Sequence, residues 1–174
     1  TFIAGLHDPK ARTTTSEWET ALVKTADLLQ PCENPACEQK WFVFDGAGPL
    51  ACPFCGAAQS GQRPLLELFS QRGGHHHPDG RRISVHDKQY LFPWHVDRTI
   101  VPGEKVQAPH RRPVGYFAFH RGRWVFVNQA LPGLRDLAKD EPIPPGKMVI
   151  LEPGQRLLLS PGEGGRLAEV RLVP

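Results

Sequence analysis

The chain has 174 residues, 40% of them hydrophobic, and a net charge of +3, enough for one or two domains with a real core. Its 17 glycines and 18 prolines make up about a fifth of the sequence against roughly 12% in an average chain, which argues against a mostly helical protein. No apolar stretch approaches the roughly 20 residues needed to cross a bilayer and no charged-then-apolar leader opens the chain, so the reading is of a soluble, cytoplasmic protein without a membrane partner.

Because the first residue is Thr1, the chain is expected to begin inside a longer polypeptide. Residues 12–30 read as the one clear helix. Ser16 followed three residues later by Glu19 gives a capping-box signature, and Trp18, Ala21, Leu22, Thr25, Ala26 and Leu29 recur at the spacing of a single buried face. Pro31 is expected to end it. That stripe needs cover, because so short a segment cannot bury it alone.

After Pro31 a proline or glycine interrupts almost every possible helix, with β-branched and aromatic runs between the breaks. Strands are predicted at Trp41–Asp45, Leu65–Phe69, Arg82–His86, His95–Ile100, Val114–His120, Trp124–Asn128, Lys147–Leu151, Arg156–Ser160 and Ala168–Val173. Turn dipeptides separate them, among them Asp79-Gly80, Pro102-Gly103, Arg121-Gly122, Pro145-Gly146 and Pro153-Gly154. The pattern predicts a mainly β protein built on a sandwich or barrel.

All four cysteines fall in Cys32-x4-Cys37-x14-Cys52-x2-Cys55-Gly56. The second pair reads Cys-Pro-Phe-Cys-Gly, a knuckle that points two thiolates at one ion, with Gly56 free to take positive φ. Two such pairs joined by a hairpin, expected at Trp41–Phe44 and the Asp45-Gly46 turn, describe a zinc ribbon. A Zn(II) site is favoured over disulfides, free thiols or another metal. Four thiolates leave no vacant position, so the ion is expected to be structural.

The middle of the chain is basic. Residues 1–60 carry a net charge of −3, residues 61–130 carry +6 with seven of the eight histidines, and residues 131–174 are neutral. An ordinary solvated face is favoured over a nucleic-acid footprint, since few aromatic residues alternate with the basic ones. His75, His76 and His77, set between Gly73-Gly74 and Pro78-Asp79-Gly80, read as an exposed loop, and His95 as a satisfied structural histidine. Dinucleotide, phosphate-loop, nucleophile-elbow and His-Glu-x-x-His signatures are absent, so the chain is read as non-catalytic.

Gly5-Leu6-His7-Asp8-Pro9, then Arg12, Ser16-Glu17-Trp18 and Ala21-Leu22 resemble the end of a protein-kinase C-lobe, with Thr13 where kinases usually carry proline. The resemblance implies that Arg12 pairs with a buried glutamate lying outside this chain. Joined to the cysteine pattern, and followed by Trp94-His95-Val96-Asp97-Arg98 and Gly122-Arg123-Trp124, it resembles the C-terminal region of bacterial eukaryotic-like Ser/Thr kinases of the tellurite-resistance phosphorylation module. What this resemblance implies is a kinase domain in cis, and as partners a von Willebrand factor A protein and a metal-dependent Ser/Thr phosphatase.

Gly122–Asn128, Ile143–Gly146 and Leu151–Leu159 also resemble the closing strands of a forkhead-associated (FHA) β-sandwich. The Gly-Arg, Ser-Arg-x-x-His and Asn-Gly loop residues that grip phosphothreonine in that family are not found in order, so none is carried over. The expected organisation is a kinase-tail remnant at 1–30, a zinc ribbon at 31–60 and an FHA-like sandwich at 61–174. The favoured function is an interaction region, with Arg98, Arg123, Asp140, Glu141 and Glu163 as candidate partner-binding residues. The alternatives are a phosphothreonine reader using Arg98 or Arg123, whose guanidinium suits a phosphate, and, third, a nucleic-acid-binding zinc-ribbon protein.

Overall fold

The computed structural model describes residue 8 and residues 12–173. Gly5, Leu6, His7 and Pro9 of the kinase-like motif lie outside the described residues. The fold is mainly β. Among the described residues no helix is long and apolar enough to cross a membrane.

Helix α1 spans Thr15–Ala26, and its capping box is formed by Thr14 and Glu17 rather than Ser16 and Glu19. Thr14 Oγ1 accepts from the Glu17 N–H (3.3 Å), while Glu17 Oε2 accepts from the Thr14 N–H (2.7 Å). Those bonds hold the Glu17 carboxyl below its ordinary pKa. The predicted buried face is not buried: no α1 residue is, and Trp18 and Leu22 are 44% and 62% exposed. The helix is pinned by its C-terminal end instead. It stops five residues before Pro31 because Leu29–Pro31 is strand β1, paired antiparallel with β2 (Trp41–Val43). Gln30, 1% exposed, locks β1 in place through amide bonds to Ser84 Oγ (2.8 Å) and Val85 O (3.0 Å).

A long hairpin follows, β3 (Arg63–Arg72) and β4 (His75–Ser84), joined at Gly73-Gly74. The three histidines expected in a loop are therefore strand residues. Both glycines have positive φ (55° and 82°), so they make a tight turn rather than a slack one. After β5 (Tyr90–Leu91), Pro93–Val96 forms a single helical turn, α2, where a strand from His95 to Ile100 was predicted. Pro93 at its start sets φ for a helix, and Asp97 in extended conformation ends it. A 3₁₀ turn at Ala108–Arg111 leads into β6 (Gly115–His120), β7 (Arg123–Asn128), β8 (Arg135–Asp136), β9 (Glu141–Pro142), β10 (Met148–Ile150), β11 (Arg156–Leu158) and β12 (Arg166–Val173).

Two sheets form the sandwich: β4-β3-β12-β11-β8-β9 and β10-β7-β6-β5. Their facing residues make one core, in which Leu66, Leu68, Ile83 and Val170 meet Phe117, Trp124 and Phe126. Each fully buried side chain of this kind contributes about 1.5–3 kcal/mol by leaving water. Gly115 is dictated by that packing, since a Cβ there would lie 2.3 Å from the Phe126 ring and 2.7 Å from Val127 O.

At one side of this core the polar groups are buried but paired. Asp27, the C-cap of α1, accepts from Arg81 Nη2 (2.6 Å) and from His95 Nε2 (2.9 Å). Its carboxylate sits at the negative end of the helix dipole, an unfavourable place that these two donors offset. Arg166 donates to Asp79 Oδ2 (2.6 Å), which also accepts from Ser70 Oγ (2.7 Å), and to Trp94 O. His95 is thus a satisfied structural histidine.

His95 Nδ1 accepts from the Phe92 N–H (2.9 Å), and His95 Nε2 lies 2.9 Å from Asp27 Oδ1 and 3.0 Å from Trp94 Nε1. Burial lowers the His95 pKa, aided by Arg81 and Arg166 and opposed by Asp27. The unfolded imidazole titrates near 6.5. Just below that pH the unfolded chain binds a proton that the native one refuses. Stability is then lost as pH falls from about 6.5 toward the depressed folded value, at up to about 1.4 kcal/mol per unit. His76 and His86, also lowered by burial, act in the same sense. Urea unfolding at about pH 7.5 and 5.5 should therefore show a loss that is shallower, though not abolished, in His95→Gln; equal slopes would exclude this role for His95.

Candidate metal centre

Two loops bring the four cysteines together. Cys32 follows β1 directly, and its N–H donates to Lys40 O (2.9 Å), closing the β1–β2 hairpin just before the loop opens. Within that loop Asn34 Oδ1 accepts from the Ala36 N–H (3.0 Å) and Asn34 O from the Cys37 N–H (3.0 Å), a turn that carries Cys37 back toward Cys32. The second loop is the Cys-Pro-Phe-Cys-Gly knuckle. Cys52 N–H donates to Ala57 O (2.9 Å), Gly56 N–H donates to Cys52 O (2.8 Å), and Ala51 bridges Ala58 at its base. Gly56 takes φ +71°, a left-handed conformation that glycine adopts without strain. The hairpin of this module is therefore β1 with β2, and not a turn at Asp45-Gly46, which instead leads out toward the knuckle.

Cys32 Sγ lies 3.7 Å from Cys55 Sγ, Cys37 Sγ lies 3.9 Å from Cys52 Sγ, and all four lie within 4.8 Å of one another. A disulfide needs about 2.05 Å, and the four thiols are free. Four sulfurs at about 2.3 Å from one tetrahedral ion stand about 3.8 Å apart. The arrangement has the donor set and the spacing of a metal site. Cys37 and Cys52 are buried, Cys32 is half-buried and Cys55 is exposed, so one corner faces solvent.

Local hydrogen bonds and burial pull the thiols in opposite directions. The Ala57 N–H beside Cys55 brings its pKa down to about 6, while burial pushes Cys37 up to about 12 and also raises Cys32. Thiolates packed this closely repel one another, and a divalent cation at their centre removes that cost.

The module has a small core of its own that reaches into the sandwich. Cys37, Phe42, Phe44, Leu50 and Cys52 pack with Leu65 of β3 and Val173 of β12. A Cβ on Gly46, whose φ is +86°, would lie 2.4 Å from Leu65 Cδ2, so the chain passes this leucine at the closest distance glycine permits. Around the rim, Glu33 pairs with Arg63 and accepts from Ser60 N–H (2.9 Å) and Oγ (2.7 Å). The Arg63 guanidinium lies 5.2 Å from the centre of the Trp124 ring, whose Nε1–H donates to Gln62 O (3.0 Å).

The other candidate residues do not share one site. Arg123 lines an open groove with Arg63, Trp124, Phe119 and Glu152, whereas Arg98 borders a smaller depression with Lys24, Arg81 and Arg166. Asp140, held in a left-handed turn (φ 53°), pairs with Arg135 (2.6 Å) beside Glu141 of β9. Glu163 accepts from the Gly73 N–H (3.1 Å). Sequence reading does not find the Asp27, Arg81 and Arg166 set: Asp79-Gly80 continues strand β4 instead of making the predicted turn, and nothing local marks Arg81 as the partner of Asp27.

Fold and site together define a β-sandwich protein carrying a four-cysteine module with the donors of a metal centre. No protein-family model and no curated protein matches the chain. Among solved structures it is similar to FHA-1 of Mycobacterium tuberculosis Rv1747, at 18% identity and a TM-score of 0.35, over 64% of this chain and 99% of that one.

Leu65 is fully buried but belongs to the sandwich, so it joins the two parts. Leu65→Ala should cost about 2–5 kcal/mol in urea unfolding, as buried leucine truncations do. A loss under about 1 kcal/mol would show that the module does not lean on β3.

Proposed function

We propose that the chain is a non-catalytic protein-interaction region in which Cys32, Cys37, Cys52 and Cys55 hold a structural Zn(II). The observation that carries this reading is the convergence of four free thiols within 4.8 Å of one another. Zn(II) suits an all-sulfur tetrahedron, and four thiolates leave no position for a substrate. The ion would hold the module against the sandwich.

The segments similar to FHA closing strands are β7, the turn before β10, and β11, all in one sandwich, which supports an FHA-like recognition domain at 61–174. On this reading 1–30 is the tail of a kinase C-lobe and 31–60 the zinc ribbon. The parent is a bacterial Ser/Thr kinase of a tellurite-resistance phosphorylation module, and the chain docks its von Willebrand factor A protein and phosphatase. Arg98, Arg123, Asp140, Glu141 and Glu163, all exposed, are the proposed contacts.

Elemental analysis of the purified chain should find one zinc per molecule. Cys37→Ser or Cys52→Ser should lose it, with a lowered melting temperature that chelator treatment of the wild type reproduces. A zinc content near zero in folded protein would overturn the metal reading. Co-elution with the von Willebrand factor A protein tests the partner separately, and failure to co-elute from the zinc-loaded chain would remove that assignment.

A second reading, a phosphothreonine reader, is favoured by one observation: Arg98 shares a depression with Lys24, Arg81 and Arg166. It ranks second because Arg81 and Arg166 are already paired with Asp27 and Asp79. A phosphothreonine peptide should then bind at least about tenfold tighter than its unphosphorylated form, and Arg98→Ala should erase the difference. Equal affinity for both peptides rejects this reading.

A further inference from the structure

Histidines are the commonest side-chain ligands of transition metals, and this chain places three in a row on one strand. In β4, His75 and His77 are exposed while His76 between them is half-buried. Side chains alternate across a strand, so His75 and His77 project from the same face. Their Cα atoms are then roughly 6.6 Å apart, a gap that two imidazoles close by leaning onto one ion. The tight Gly73-Gly74 turn and the pairing of His75 with Arg72, His76 with Gln71 and His77 with Ser70 hold this register.

We propose that His75 and His77 together bind one divalent transition-metal ion at the tip of the β3–β4 hairpin. The site is separate from the cysteine cluster, which is the one group of three or more candidate ligands among the described residues. It offers two nitrogen donors and leaves the remaining positions to water. Such donors suit Ni(II), Cu(II) and Zn(II). His76 cannot join, because it points to the opposite face and its Nε2 is buried. Arg72, cross-strand from His75, brings a positive charge to the same face and weakens the site.

The test is a titration of the zinc-loaded full chain with Ni(II), followed by calorimetry and by paramagnetic broadening of amide signals. One equivalent should bind, broadening signals at the hairpin tip. His75→Ala and His77→Ala should each weaken binding at least about tenfold, His76→Ala should change it less than about twofold, and Arg72→Gln should tighten it a few-fold. His75 and His77 are exposed, so an unchanged circular dichroism spectrum verifies folding. Binding that survives the His75→Ala/His77→Ala double variant, or that falls as far in His76→Ala, overturns the proposal, as does the lack of any saturable binding. The variants read the hairpin alone, so a failure of the cysteine site to hold zinc leaves this outcome distinct.

Discussion

Four sulfur atoms within 4.8 Å of one another set the terms for the amino-terminal part of the described chain. As neighbours they are poorly matched to water and to each other, with Cys55 drawn toward thiolate at about 6 and Cys37 held as a thiol up to about 12. The loops that position them carry almost no other core. Phe42, Phe44 and Leu50 are the apolar residues the module itself contributes besides its cysteines, and the rest of its packing is borrowed from Leu65 and Val173. A segment with so little to bury of its own gains from any cross-link between its loops. The sulfurs are free and stand 3.7–3.9 Å apart in their nearest pairs, a spacing that a shared tetrahedral ion would fit.

The seam between the C-terminal end of α1 and the sandwich is polar. Buried ion pairs rarely add much net stability, because desolvation consumes most of the attraction, yet breaking one partner away leaves a costly unpaired charge. Asp27 with Arg81 and His95, and Asp79 with Arg166, therefore act as alignment devices more than as glue. The Asp27 pairs fix where the C-terminal end of α1 meets the sandwich, since Asp27 takes one donor from β4 and one from α2, while Asp79 and Arg166 tie β4 to β12 within the larger sheet. The Ser84 N–H to Asp27 O bond (2.8 Å) and the Phe44 N–H to Leu28 O bond (2.8 Å) continue the same seam along the backbone.

Much of this was legible from residue patterns, and the failures have physical causes. The Cys-Pro-Phe-Cys-Gly knuckle and the longer strands declare themselves because their signals are local: a turn with a glycine at positive φ, or apolar residues at every second position. Strands β8 and β9 are two residues each and exist through pairing with β11 and each other, so no run could announce them. Ser16-Glu19 and Thr14-Glu17 satisfy the same capping rule, and the choice between them lies in backbone geometry at Thr14, which local sequence does not show. The apolar stripe of α1 gave the right spacing and the wrong burial, because spacing says which side chains share a face and nothing about what covers it. The glycine and proline neighbours of the three histidines signal a loop. Those same glycines close the hairpin that makes them strand. Asp27 and His95 stand 68 positions apart, and their contact has no local trace.

The layout also places the thiol cluster and the β3–β4 turn at opposite ends of the larger sheet. Strands β3 and β12 run the length of the larger sheet, with Arg63 opposite Val173 at the cysteine end and Ser70 opposite Arg166 toward the other. A ten-residue strand spans about 33 Å, so the thiol cluster packs at one end of β3 and the β3–β4 turn lies at the far one. At that far end the loops brace each other through backbone bonds: Gln71 N–H to Gly165 O (2.8 Å), Gly164 N–H to Gln71 O (3.1 Å) and Arg98 N–H to Gly164 O (2.9 Å). Arg98, Glu163 and the paired histidines thus belong to one ordered surface, built on strands that the module clamps from the opposite side. Disturbing the sulfur cluster would reach that surface only through the sheet itself, as a loss of order shared by every contact along it, whereas a change at Arg98 would act on one contact and leave the clamp intact.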